Sequence, residues 1–275
     1  MALRSCPSCN DDKDLFLVRD LGDGRKLIGC SACGTEWAAG QATRQVLYAP
    51  PTFATLKRDF PKPQDVDPQH MAKAEALKEQ FLEVSPEPDP RVAPYWAKYQ
   101  HIFSREWLFE CDPKLLKDFA NSEVGAHPGN QSMFNEKWNE MGTERAAEST
   151  RRTIEYLLYG PDGTAMEDRL NHLLQGAKSF AMPGFKEALL TRVLCVVQPD
   201  RYLSILKYTT EAGGKREIAR AVYGLELPNP DATRLTRGRL LVWSNDLLHS
   251  LVGGGFVNQP HAAAFLWWAK DREIA

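Results

Sequence analysis

The sequence predicts a small β zinc-binding unit at the N-terminus followed by a mainly α-helical domain. Three observations predict it. Four cysteines stand in two tight pairs within the first 33 residues. A proline-dense stretch follows them. Beyond it, apolar residues recur at helical spacing and strand signals are sparse. The expected boundaries are 1–48 for the β unit, 49–94 for a linker with one short helix, and 95–275 for the all-α domain.

The pairs read Cys6-Pro-Ser-Cys9, twenty residues, then Cys30-Ser-Ala-Cys33. Two residues between thiolates let one backbone turn offer both sulfurs to the same ion, and two such knuckles complete a tetrahedron. Cys6, Cys9, Cys30 and Cys33 are therefore the expected ligands of one structural Zn²⁺ in a zinc ribbon. A four-thiolate site leaves no position for water, so the metal is expected to be structural. The segment between the knuckles carries the chain out and back: Leu15-Phe-Leu-Val18 as a strand, Gly22-Asp-Gly24 as a turn, Lys26-Leu-Ile28 as a returning strand. Gly34 supplies the positive φ wanted after a knuckle. Trp37 is expected to cover one side of this small core. No His-x-Glu precedes a knuckle, which excludes a zinc deaminase.

Nine prolines punctuate residues 49–94, from Pro50 to Pro94. That composition reads as a linker, extended in its proline-rich parts. One helix fits inside it, over 69–83, with Met71, Ala74, Leu77, Phe81 and Leu82 as its apolar stripe. From Tyr95 onward, helices are expected over 95–109, 131–141, 143–159, 184–197, 212–223, 236–251 and 260–272. Asp112-Pro113 reads as an N-cap with proline at the first helical position. Thr164 to Glu167 reads as a capping box, and Gly176 as a helix stop. Residues 203–206 form a short extended candidate.

Net charge is −2, so any surface for nucleic acid must be a local patch. No apolar run approaches the length that spans a bilayer, and no apolar leader precedes the first knuckle. The expectation is a soluble, cytoplasmic protein. Cys195 lies in the run Val193-Leu-Cys-Val-Val197 and reads as a buried small hydrophobe. Cys111 has no neighbouring base to activate it.

Catalytic motifs are lacking. The nearest approach to a phosphate-binding loop is Gly213-Gly-Lys-Arg216, without the first glycine or the Ser/Thr that holds Mg²⁺. Pro161-Asp162 and Pro199-Asp200 are not followed by the Asp/Glu-x-Lys of a metal-dependent nuclease. The protein is expected not to be an enzyme.

Two features suit phosphate instead. The turn Met182-Pro-Gly-Phe-Lys186 opens a helix, where N-terminal amides form an anion site. Gly184, Phe185 and Lys186 are the candidates there. Residues 201–240 hold eight basic side chains against four acidic ones. Lys215, Arg216, Arg234, Arg237 and Arg239 are the candidates for phosphate contact. The first fifty residues are balanced, six basic against six acidic, with Arg19, Arg25, Lys26 and Arg44 available. A protein-docking adaptor, using the ribbon and the 69–83 helix, is the rival expectation.

Three stretches carry a family resemblance: Phe134 to Asn139 with Thr153 to Gly160; Pro183 to Leu194 with Pro199 to Tyr202; and Gly213 to Arg216. Together, over about 130–270, they resemble an all-helical module placed ahead of the motor in some McrB-like AAA+ proteins of restriction and phage defence. The resemblance implies recognition of DNA, modified DNA included, and partnership with an AAA+ motor and a nuclease. This chain has no Walker A loop of its own, and the ribbon lies outside the resemblance.

Overall fold

The structure is a computed structural model that describes residues 5–7, 12, 15–22, 24–30, 33–39, 45–48, 53–84 and 87–272. The chain divides into two compact units, 1–59 and 60–275.

The first unit is an antiparallel sheet in the order β1 (Leu15–Gly22), β2 (Arg25–Cys30), β3 (Glu36–Ala39), β4 (Gln45–Tyr48). A tight turn joins β1 and β2, with Gly22 at φ 76° and Gly24 at φ 80°, backbone that favours glycine. Register then decides what is buried. Ile28 stands opposite Leu17 on one side and Trp37 on the other, while Cys30 stands opposite Leu15. Side chains opposite one another share a face. The core of this face is Cys6, Ile28, Cys30 and Trp37, with Leu15, Cys33 and Ala39 against it. Trp37 covers it as expected. β3 and β4 have no counterpart in the sequence reading, because four-residue strands carry too little alternation to recognise. The first helix, α1 (Phe53–Arg58), follows.

The second unit is helical. Its helices are α2 (Pro68–Val84), α3 (Val92–Ile102), α4 (Pro113–Asn121), α5 (Ser132–Met141), α6 (Thr143–Tyr159) and α7 (Met166–Leu174). They continue as α8 (Glu187–Val197), α9 (Lys215–Tyr223), α10 (Arg237–Val252) and α11 (Gln259–Lys270). Asp112 caps α4 by accepting from the Lys114 amide at 2.8 Å, with Pro113 at the first position. Gly176, at φ 70°, ends α7 as expected. The capping box at Thr164 does not form: α7 starts two residues later, and its cap is Ala165. Residues 203–206 are not a strand. Leu203 and Ile205 are buried instead, and the Leu203 amide donates to Asn245 Oδ1 at 3.0 Å.

The expected linker is corrected as well. α2 packs against α9 and α11, so residues 60–94 belong to the helical body. Phe81 explains why. Its ring meets those of Phe256, Phe265 and Trp268 at centroid distances of 5.6–6.4 Å. Lys78 adds a polar tie, donating to the Val252 carbonyl at the end of α10. Among the described residues, Pro63 and Pro68 open helical elements rather than extend a tether.

One buried cation organises the body's interior. Arg192 on α8 is fully buried, and donates to the carbonyls of Phe119, Ser122 and Val124 and to the Tyr95 hydroxyl. Two of those carbonyls close the C-terminal end of α4, where the helix leaves acceptors unpaired.

Candidate metal centre and candidate nucleic-acid residues

Three of the four expected ligands come together. The Sγ atoms of Cys6, Cys30 and Cys33 all lie within 4.8 Å of one another. Cys6 and Cys33 approach to 3.5 Å, far beyond a disulfide bond of about 2.05 Å. For metal–sulfur bonds of about 2.3 Å, a tetrahedron has S···S edges of about 3.8 Å. The cluster fits that scale, so these thiols could hold a metal ion. Cys9 and Arg44 lie outside the described residues.

Local structure explains the convergence. Cys30 ends β2, placed on the core face by the register with Leu15. The chain then turns so that the Gly34 amide donates to the Cys30 carbonyl at 2.7 Å and the Cys30 amide to the Thr35 carbonyl at 3.0 Å. Gly34 takes φ 73°, the conformation expected after a knuckle. This turn returns Cys33 beside Cys30. Thr35 is buried, with its hydroxyl 3.1 Å from Cys33 Sγ. On a metal-bound thiolate that hydroxyl would donate to sulfur and orient it. Sequence spacing identified the cysteines but not Thr35, because a threonine two residues past a knuckle has no signature.

The candidate phosphate contacts fare differently. Lys215 is corrected outright: it is fully buried, and its Nζ has no hydrogen-bond partner among the described residues. Desolvation lowers its pKa to about 8. The amides expected to add to it are engaged too. Lys215 donates its amide to the Lys207 carbonyl at 3.1 Å, and Arg216 to the Tyr208 carbonyl at 2.9 Å. Phe185 is also corrected, because it is buried and packs edge-on against Phe134. Gly184 serves packing: at φ 83°, a Cβ there would lie 2.7 Å from the Phe134 Cα. The amides of Phe185 and Lys186 donate within the turn, to Met182 and Gly184.

Three arginines of the 201–240 stretch meet acids from outside it. Arg237 pairs with Glu187 at 2.9 Å, Arg239 with Asp168 at 3.3 Å, and Arg201 with Asp246 at 3.0 Å. The local positive excess in the sequence is therefore partly neutralised by folding. Arg216 Nε donates to the Leu227 carbonyl. Lys186, Lys207 and Arg234 are exposed.

Cys195 is the buried small hydrophobe expected, whereas Cys111, read as lacking a basic neighbour, has the Arg151 guanidinium beside it, whose lowering effect on the thiol is outweighed by desolvation. Burial pushes the Cys195 thiol up to about 12 and raises that of Cys111. Neither is poised as a nucleophile. Among the described residues, no helix is long and apolar enough to cross a membrane. No protein-family model, curated protein or solved structure matches the chain.

Proposed function

We propose that the protein is a non-enzymatic DNA-recognition module of a prokaryotic restriction or anti-phage defence system, carrying an N-terminal zinc ribbon. The observation that carries the ribbon is the three-sulfur cluster, with Cys9 as the fourth ligand of one Zn²⁺. Four soft thiolates favour zinc and leave it structural. Support for DNA comes from the exposed Lys186, Lys207 and Arg234 and from the resemblance to McrB-like recognition modules. An AAA+ motor and a nuclease would be separate partners, and the protein would act in the cytoplasm.

Binding across a salt series tests this reading. DNA recognition predicts a steep loss of affinity with salt, and a shallower dependence in the Lys186→Glu, Lys207→Glu double variant. Absence of binding at about 50 mM salt, for duplex, modified duplex and single strand alike, would sink it. Metal analysis should find one zinc per chain.

One observation favours a second reading as a protein-docking adaptor. β1 forms an edge of the described sheet and exposes Phe16, Leu17 and Val18 in succession, at 39–53%. An edge strand with exposed apolar side chains is a template for partner pairing. Loss of all DNA binding, with retained binding of a motor or nuclease subunit, would select the adaptor.

A further inference from the structure

An aromatic cleft whose lining includes none of the candidate phosphate contacts has the chemistry of a nucleobase site. It measures about 390 Å³ and is lined by Phe109, Arg152, Glu155, Tyr156, Tyr159 and Phe180, with backbone from Gly160 and Pro161. Phe109 is 39% exposed, so its ring is open to a ligand in the cleft.

The tyrosines are fixed from behind. The Tyr159 hydroxyl donates to the Phe103 carbonyl at 2.8 Å, and the Tyr156 hydroxyl lies 2.8 Å from His172 Nδ1. Phe180 meets Tyr156 edge-on at a centroid distance of 5.7 Å. The rings are thus held in place before any ligand arrives, which lowers the cost of binding.

Cations surround these rings. The Arg105 guanidinium lies 4.5 Å from the Tyr159 ring centre, and Lys178 Nζ lies 5.0 Å from that of Tyr156. Arg152 lines the cleft and pairs with Glu148 at 2.6 Å. Glu155 is the one acid in the lining. Aromatic rings with a carboxylate can also cage a methylated ammonium group. Here the tyrosine faces already carry cations of the chain itself, so an incoming cation would meet repulsion. A ligand with a planar ring and a negative backbone meets rings and cations together.

We propose that this cleft binds single-stranded nucleic acid, with bases stacking on Phe109 and Phe180 and phosphates meeting Arg105, Arg152 and Lys178. A duplex keeps its bases stacked on each other and has none to spare for the cleft. Single-strand sites on other folds combine aromatic platforms with a cationic track in this way. The proposal rests on the nucleic-acid reading above and assigns it a different surface.

The test is fluorescence anisotropy on the full chain with a labelled oligothymidylate of about 12 nucleotides, a duplex of equal length, and a trimethyllysine peptide. The single strand should bind best. Phe109→Ala should weaken it about tenfold and Phe109→Trp should restore it. Arg105→Glu, at an exposed position, should flatten the log–log salt dependence by about 0.7 for each phosphate that is no longer neutralised. Unchanged circular dichroism melts would show that all three variants fold. Single-strand binding that ignores these substitutions overturns the cleft and leaves the nucleic-acid reading standing. No binding to either nucleic acid overturns both. Peptide binding lost in Phe109→Ala assigns the cleft to a cationic partner and overturns the proposal.

Discussion

Two buried cations on neighbouring elements show how differently one charge can be accommodated. Arg192 has hydrogen-bond acceptors on both terminal nitrogens, from three carbonyls and a phenol. Lys215, equally inaccessible, has none among the described residues. Its interactions with Cys195, Glu187 and Asp246 favour the charged form, but desolvation outweighs them and lowers its pKa from 10.5 to about 8. The folded state therefore binds that proton less tightly than the unfolded chain. Stability should rise with pH from about 8 to about 9, because the unfolded chain holds more proton at the lysine there; from about 9 upward the buried Cys195 thiol, which keeps its proton longer in the folded chain, opposes the rise. Below about pH 8 the full penalty applies, about 3 kcal/mol from the size of the shift. Lys215→Met keeps the aliphatic length and removes the charge. Urea denaturation at pH 7 should show it more stable by about 1–3 kcal/mol, with the rise above pH 8 abolished. A destabilised Met variant would mean that the ammonium has a role the buried geometry does not reveal.

At the scale of elements, close crossings decide which substitutions matter. Gly238 lies in the first turn of α10, where α7 passes directly against it. A Cβ there would overlap the Glu167 carbonyl oxygen and lie 2.8 Å from the Asn171 backbone nitrogen. Helix propensity alone would make Gly238→Ala stabilising by about 0.5–1 kcal/mol. The steric term is larger and opposite, so a net loss of about 2 kcal/mol is expected in thermal or chemical melts. Asp112→Ala should cost about 1 kcal/mol by removing the cap of α4. That cap was legible in the sequence because Asp-Pro sets it locally. Most helix positions were legible from their own apolar stripes, but the helix expected over 95–109 runs Val92–Ile102 instead, and residues 103–110 turn away from it. What was not legible depends on residues far apart. Nothing near Lys215 in the sequence announces burial, since the groups that act on it, Glu187, Cys195 and Asp246, come from α8 and α10. Lys215-Arg216 reads as surface by composition alone. The proline-dense segment misled for a related reason, since only the aromatic cluster around Phe81 shows that α2 is part of the body. The cysteines were legible because a metal site needs short, fixed spacing. The cleft was not, because Phe109, Tyr156 and Phe180 meet only after folding.

Across the whole molecule, the two units differ in what can hold them together. The helical unit has an extensive apolar interior reaching from Phe60 to Ala269. Among the described residues, the β unit's sheet-face core has four buried members, two of them cysteines, with Leu27 and Ala38 buried besides. A core that small seldom pays the conformational entropy of folding by itself. Zinc would supply the difference, since structural sites contribute about 10–16 kcal/mol of apparent binding free energy in small zinc modules at neutral pH. Metal binding and folding of residues 1–48 should therefore be one event. Cys30→Ser, or a strong chelator applied to the native chain, should unfold the β unit and leave the helical unit's melting transition in place. Limited proteolysis and Trp37-sensitive NMR resonances would report the first change, and far-ultraviolet circular dichroism the second. Lowering the pH should have the same selective effect, because protons compete with the metal for the thiolates. A β unit that stays protected after complete metal removal would show that its sheet is held by other contacts, and the cysteine cluster would then lose its role as scaffold.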